Sequence, residues 1–298
     1  MKLPDPEVWT VIVALMKVQT QFIALAGISM ALSNTLTAAV VVDIDATGIA
    51  AGGVGALNNA GTAGNFTSLI GNASTTTHPR NDGVGSVQGI AFANNKFKSA
   101  NSMAASGISG NQAHTVAAWV WNPAIGNEEA IISWGHRGGP DGANMGLHQG
   151  THPSFGAVGH WGSPDIGFGN DGADINDTIG RWAHLAYVYD GSGSQRVFID
   201  GVLSNTESGI SLNPHQTFDD GSATHIYLGS ESDAGNDNNT PIPFSGTIAR
   251  WYVTDTALSD TDVAGLFGAQ AAQFIPEPSS AVLGMLGLLT LLGLRRRR

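Results

Sequence analysis

Short runs of alternating apolar and polar residues, closed by glycine-rich turns, recur between positions 40 and 253 and predict a chain built mainly from strands. Val40-Val41-Val42-Asp43-Ile44-Asp45 is β-branched and stops at Ala46-Thr47-Gly48, an opening strand and its turn. From there to position 86 the chain is mostly Gly, Ala, Asn and Thr with few apolar anchors, which reads as loops with short strands. Further strands are expected at 87–92, 115–121 and 130–134. Along 115–121, Val116, Ala118 and Val120 share one face while Trp119 and Trp121 share the other. Large side chains on both faces predict a central strand.

The pattern is clearest from 181 to 204. Residues 182–189 (WAHLAYVY) form a strand closed by Asp190-Gly191-Ser192-Gly193, residues 196–199 form the next, and Asp200-Gly201 turns the chain into a third at Val202. Asp-Gly favours the positive-φ turn whose twist suits a hairpin, so two hairpins in series make a meander. Residues 225–229 and 246–253 add two strands on either side of a polar loop at 230–240. Residues 257–267 predict the one helix of the soluble body, with Ser259 as N-cap and Asp262 in the capping-box position.

The two ends differ from this body. Lys17, the apolar run at 22–32 and Thr37-Ala38-Ala39 have the order of a secretory leader, and cleavage after Ala39 would start the mature chain at Val40. Asp5 and Glu7 are foreign to a leader's start. Met16-Lys17 is therefore the expected beginning, with 16–39 as signal peptide and 1–15 as an upstream extension. At the other end Pro276, Glu277 and Pro278 precede an apolar stretch at 281–294, and Arg295, Arg296, Arg297 and Arg298 close the chain. About 14 residues of helix span roughly 21 Å against a hydrocarbon layer of roughly 30 Å, so crossing needs the arginines to snorkel to the cytoplasmic headgroups. This order resembles the PEP-CTERM sorting signal of bacterial surface proteins. The resemblance implies an exosortase-type membrane transpeptidase that cuts near the triplet, and secretion machinery as a further partner. An ordinary tail anchor is the competing reading. Either way the expected location is the cell envelope or beyond, with a transmembrane helix as transient or retained tether.

Between the signals, 40–270 has the length of one all-β domain, followed by a linker at 271–275 and the sorting segment at 276–298. The body keeps 7 basic and 21 acidic residues, a net of about −14. That field repels nucleic acid and anionic lipid and suits bound cations. Cysteine is absent, which excludes disulfides, thiolate metal sites and a cysteine nucleophile. Forty glycines with little Lys, Glu or Arg argue for turns over long helices.

Trp182-x-His184-Leu185-Ala186-x-x-Tyr189-Asp190-Gly191, Val197-Phe198-Ile199-Asp200-Gly201, Ile226-x-Leu228-Gly229, Phe244-x-Gly246-x-Ile248-Ala249 and Ala257-Leu258-Ser259 resemble the LamG-like jellyroll family of the concanavalin A-like lectin and glucanase group. The resemblance covers roughly 40–268 and is weakest before Val87. It implies an all-β fold, a two-sheet antiparallel jellyroll sandwich, to which the termini add an N-terminal signal helix and a C-terminal hydrophobic helix. Binding in this group usually uses the concave sheet face or loops at the sheet edge.

Several clusters could carry chemistry. His136, Arg137 and Asp141 lie on a glycine-rich stretch, and His160, Trp161 and Asp165 repeat its flavour. Together they could line a surface where aromatic faces stack on sugar rings and charged groups bond hydroxyls. The competing reading has Trp134 and Trp161 filling the core while Arg137 and Asp141 tie a loop together. Asp233, Asn236 and Asp237 offer oxygen ligands of the kind Ca²⁺ takes, without the spacing of an EF-hand. A solvated loop is the favoured competing reading, and surface turns explain Asp43 and Asp45. His148 and His152 have the i, i+4 spacing of a helical zinc pair, but Gly150 and Pro153 argue against a helix there. His184, inside the best strand, reads as a hydrogen-bonded structural histidine.

A retaining glycosidase needs two carboxylates about 5 Å apart. Glu128 and Glu129 are adjacent and point to opposite faces, Glu207 and Glu231 stand alone, and no GxSxG elbow is present. The sequence therefore favours a non-catalytic module that binds polysaccharide or another cell-envelope partner. A structural matrix protein without a small ligand, and a glycoside hydrolase of the same fold, are the alternatives.

Overall fold

The computed structural model describes residues 38–152, 157–158, 165–169 and 173–275. The upstream extension, nearly all of the signal peptide, His160, Trp161, and the sorting segment with Pro276, Glu277, Pro278 and Arg295 to Arg298 lie outside the described residues. Among the described residues no helix is long and apolar enough to cross a membrane.

The strands are β1 (Val40–Asp45), β2 (Gly53–Val54), β3 (Ala56–Leu57), β4 (Phe66–Ile70), β5 (Ala73–Pro79), β6 (Ser86–Ala91), β7 (Lys96–Ser102), β8 (His114–Trp121), β9 (Ala130–Gly135), β10 (Asn144–His148), β11 (Ala157–Val158), β12 (Trp182–Tyr189), β13 (Ser194–Ile199), β14 (Val202–Ser208), β15 (His225–Leu228) and β16 (Thr247–Thr254). A 3₁₀ turn at Ala173–Thr178 and one helix, α1 (Asp260–Phe274), complete the described elements. They form two antiparallel sheets in a sandwich consistent with a jellyroll. The first runs β14-β13-β12-β8-β16-β6-β5-β2, with β1 also on β16; the second runs β11-β10-β9-β15-β7-β4-β3.

The predicted meander is present as β12-β13-β14. Asp200 (φ 50°) and Gly201 (φ 75°) both take the left-handed conformation that a two-residue hairpin turn requires. β8 is central, paired with β12 on one side and β16 on the other. Its Val116, Ala118 and Val120 enter the core between the sheets with Trp134, Met145, Leu147, Ile226 and Leu228 of the second sheet. Each buried Val, Ile, Leu or Met among them contributes about 1.5–3 kcal/mol.

The other face of β8 is covered by α1. Trp119 stacks on Phe274 at 4.0 Å between ring centroids, and its Nε1 donates to Gln270 Oε1 at 2.8 Å. The capping box at Ser259 and Asp262 forms as expected. The helix, however, does not stop at 267. It continues to Phe274 through residues read as linker, because Phe274 is buried against Trp119 and Trp182. His184 also departs from expectation. It is fully buried beside Trp119 and Phe267, yet neither ring nitrogen has a hydrogen-bond partner among the described residues. Burial holds its imidazole neutral, with a pKa lowered to about 3.

Candidate functional site

The outer face of the second sheet is roofed by the polar chain that leaves β15. Two fixed points hold that roof down. Lys96 of β7, fully buried, donates from Nζ to the carbonyl of Glu231 (3.1 Å), to Ser232 Oγ (3.0 Å) and to the carbonyl of Asn239 (2.5 Å), with the Tyr227 ring beneath it. Burial lowers the Lys96 pKa to about 8. Beside it Lys98 pairs with Asp237 at 2.6 Å.

The roof places Glu231 over Gly146 of β10. A side chain at Gly146 would put its Cβ 2.4 Å from His148 Nε2 and 2.9 Å from Glu231 Oε1, so glycine is what allows the carboxylate to settle there. Glu231 is 1 % exposed and both oxygens are occupied. Oε1 accepts from Asn144 Nδ2 at 2.9 Å and from His148 Nε2 at 3.0 Å, and Oε2 accepts from Arg137 Nη1 at 3.1 Å. These charge-assisted bonds overcome the cost of burial, so the Glu231 carboxyl sits below its ordinary value. Glu128, from the loop before β9, completes the cluster, with Oε1 at 3.5 Å from His148 Nδ1 and 3.7 Å from Arg137 Nη1. Its side chain is 16 % exposed, and burial pushes its carboxyl up. Ligating atoms of Glu128, His148 and Glu231 all lie within 4.8 Å of one another.

Glu231 was expected to stand apart. The fold instead brings it to Glu128, because the chain after β15 doubles back over β9 and β10. Glu129 does turn elsewhere, to Asn122, Gly126 and Ser245.

The residues singled out from the sequence are partly separated. His136 is 2 % exposed; its Nδ1 bonds the Arg137 carbonyl, its Nε2 faces His215 Nδ1 at 2.6 Å, and its ring stacks on Phe218. Trp134 lies in the core. Arg137 belongs to the Glu231 cluster, Asp141 is exposed, and Asp165 is half-buried. Asp233 lies 3.9 Å from Arg137 Nε, Asn236 Oδ1 accepts from the Asn238 amide, and Asp237 is held by Lys98. These three therefore answer to different partners. Lys96 and Asn144 were missed, and Glu231 was read as standing alone. The spacing Asn144-x-Gly146-x-His148, two polar residues flanking a glycine on one strand face, was the available signal.

A second feature lies at the sandwich edge, where the end of β1 passes β3. A cleft of about 570 Å³ is lined by Asp45, Thr47, Gly48, Ile49, Ala56 and Asn58. Asp45 is fixed in place: Oδ1 accepts from the Thr47 amide (3.0 Å) and hydroxyl (2.6 Å), and Oδ2 lies 3.1 Å from Arg250 Nη2. A carboxylate has more acceptor sites than these bonds use.

A family model described as the Concanavalin A-like lectin/glucanases superfamily (Laminin G 3) matches residues 92–264. No curated protein sequence matches the chain. Among solved structures, domain 4 of AbnA, a GH43 extracellular arabinanase from Geobacillus stearothermophilus solved with arabinotriose, is similar at 16% identity and a TM-score of 0.50, covering 77% of this chain and 98% of that domain. The sialidase of Trypanosoma rangeli follows at 13% identity and a TM-score of 0.48, covering 80% of this chain and 34% of that one. The binding domain of Paraclostridial Mosquitocidal Protein 1 gives 14% and 0.46, covering 78% and 52%. The chain thus spans about half of that binding domain and a third of the sialidase. At 16% identity the likeness to the arabinanase domain is one of fold.

Proposed function

The chain belongs to the Concanavalin A-like lectin/glucanases superfamily, and from that premise we propose that it is a non-catalytic carbohydrate-binding protein, exported and sorted to the cell surface. The edge cleft is the observation that carries this reading. Its volume is in the range of small-ligand sites, and its lining offers what a sugar needs. Asp45, Thr47 and Asn58 supply acceptors and donors for hydroxyls, while Ile49 and Ala56 supply an apolar floor for C–H faces. Asp45 is preorganised by Thr47 and Arg250, which reduces the ordering cost of binding.

The Glu128 and Glu231 spacing by itself suits a retaining glycosidase. Burial argues against that use. Glu231 has three donors on its two oxygens and almost no exposure, so it has no free face to offer an anomeric carbon. Export and an exosortase-type processing partner rest on the two terminal sequences, and polysaccharide is the proposed ligand class.

A glycan array probed with the purified protein tests the reading. At least one polysaccharide class is expected to be retained. Asn58→Ala should weaken retention about 5–10-fold, the worth of one hydrogen bond, with an unchanged melting temperature, while Thr47→Val, which also removes the hydroxyl's bonds to Asp45 and Gln273, should weaken retention and lower the melting temperature. An array that stays silent, or retention that ignores both substitutions, overturns the assignment to this cleft.

A further inference from the structure

We infer that His148 and Glu128 form a site for a divalent transition metal of the zinc class, with Glu231 as the carboxylate that orients the imidazole. The inference is independent of the sugar-binding reading. His148 is fully buried, and its two nitrogens do different things. Nε2 lies 3.0 Å from Glu231 Oε1, and an ionised carboxylate only accepts, so Nε2 carries the proton. In the neutral ring that leaves a bare lone pair on Nδ1. Nδ1 has no hydrogen-bond partner among the described residues, and it faces Glu128 Oε1 at 3.5 Å. A cation held between Nδ1 and Glu128 Oε1 would give both of these largely buried atoms a partner.

The spacing fits a metal. With bonds of about 2.0–2.2 Å and a tetrahedral angle, nitrogen and oxygen ligands on one zinc stand about 3.4 Å apart. The arrangement carboxylate–imidazole–metal is the one by which proteins fix a ligating histidine. Charge agrees as well. Two carboxylates, Glu128 and Glu231, share one guanidinium, Arg137, in this cluster. Glu128 is the partly exposed member, which lets water complete the coordination.

The test strips the purified protein with a chelator, then titrates ZnCl₂ by calorimetry and CoCl₂ by visible absorption. One Zn²⁺ per chain is expected, with a rise in melting temperature and a tetrahedral Co²⁺ band. Glu128→Gln, at the exposed edge and so compatible with folding, should abolish both signals. Glu231→Gln should weaken zinc about 10–100-fold. Three results would each overturn the site: no uptake of either metal, uptake unchanged in Glu128→Gln, or an imidazole of His148 that keeps protons on both nitrogens at pH 7.5 in the presence of zinc.

Discussion

Replacing Glu231 with alanine is expected to lower the unfolding free energy by about 3–5 kcal/mol, the cost of breaking a buried ion pair from one side. The loss has three sources. Arg137 loses its nearest carboxylate, and His148 Nε2 and Asn144 Nδ2 lose the acceptor they share. Asn144 and His148 are buried and cannot turn to water without opening the roof. That roof is also tied by Lys96 and by backbone bonding between the Arg137 amide and the Ser232 carbonyl, so the change should loosen 230–240 before the rest. Chemical denaturation in chelator measures the total, and hydrogen exchange locates it. Asp141→Ala, in the adjacent exposed turn, should stay within about 0.5 kcal/mol. Equal stability of Glu231→Ala and the native protein would mean that the cluster is ornamental.

Acid should destabilise the protein well above the carboxylate range. His114 and His184 are fully buried and burial lowers their pKa values to about 4 and about 3, while the unfolded chain takes up those protons near pH 6.5. The folded state that refuses a proton is stable above pH 6.5 and loses that advantage as pH falls through the unfolded value. Between pH 7 and pH 5 each histidine should cost about 1.9 kcal/mol, so the pair costs about 3.8 kcal/mol. His78, His215 and His225 are shifted the same way by burial and add to the slope. Glu128, raised by burial, acts in the opposite sense, and Glu231 loses its contribution only at lower pH. His184→Leu should halve the pair's share without loss at pH 7, since its ring nitrogens make no hydrogen bond that leucine would break. Urea midpoints at pH 7 and pH 5 measure both effects. A flat profile would place those two rings in contact with water.

The parts of the fold that could be read from the chain are those where local chemistry and tertiary packing agree. In 182–204 the alternation, the Asp200-Gly201 turn and the aromatic rows all point to one meander, and the capping box marks where α1 begins. β7 and β10 escaped for a common reason. Their outward residues, Lys96, Lys98, Asn144 and His148, face a polar roof, and the inward rhythm rests on only one or two apolar residues per strand, Phe97 in β7 and Met145 and Leu147 in β10. The end of α1 was hidden because Phe274 is held by Trp119 and Trp182, distant in sequence. The polar cluster was hidden for the same cause: Glu128, Arg137, His148 and Glu231 come from four separate segments, and only sheet pairing and the return of the chain over Gly146 collect them.

The decisive measurement is chain-length analysis of whichever polysaccharide the array retains, after prolonged incubation with the purified protein. A binding protein whose buried carboxylates serve as a post should hold the glycan saturably and return it at full length. New reducing ends that disappear in Glu128→Gln would show the carboxylate pair at work as a glycosidase and would contradict the reading at its centre.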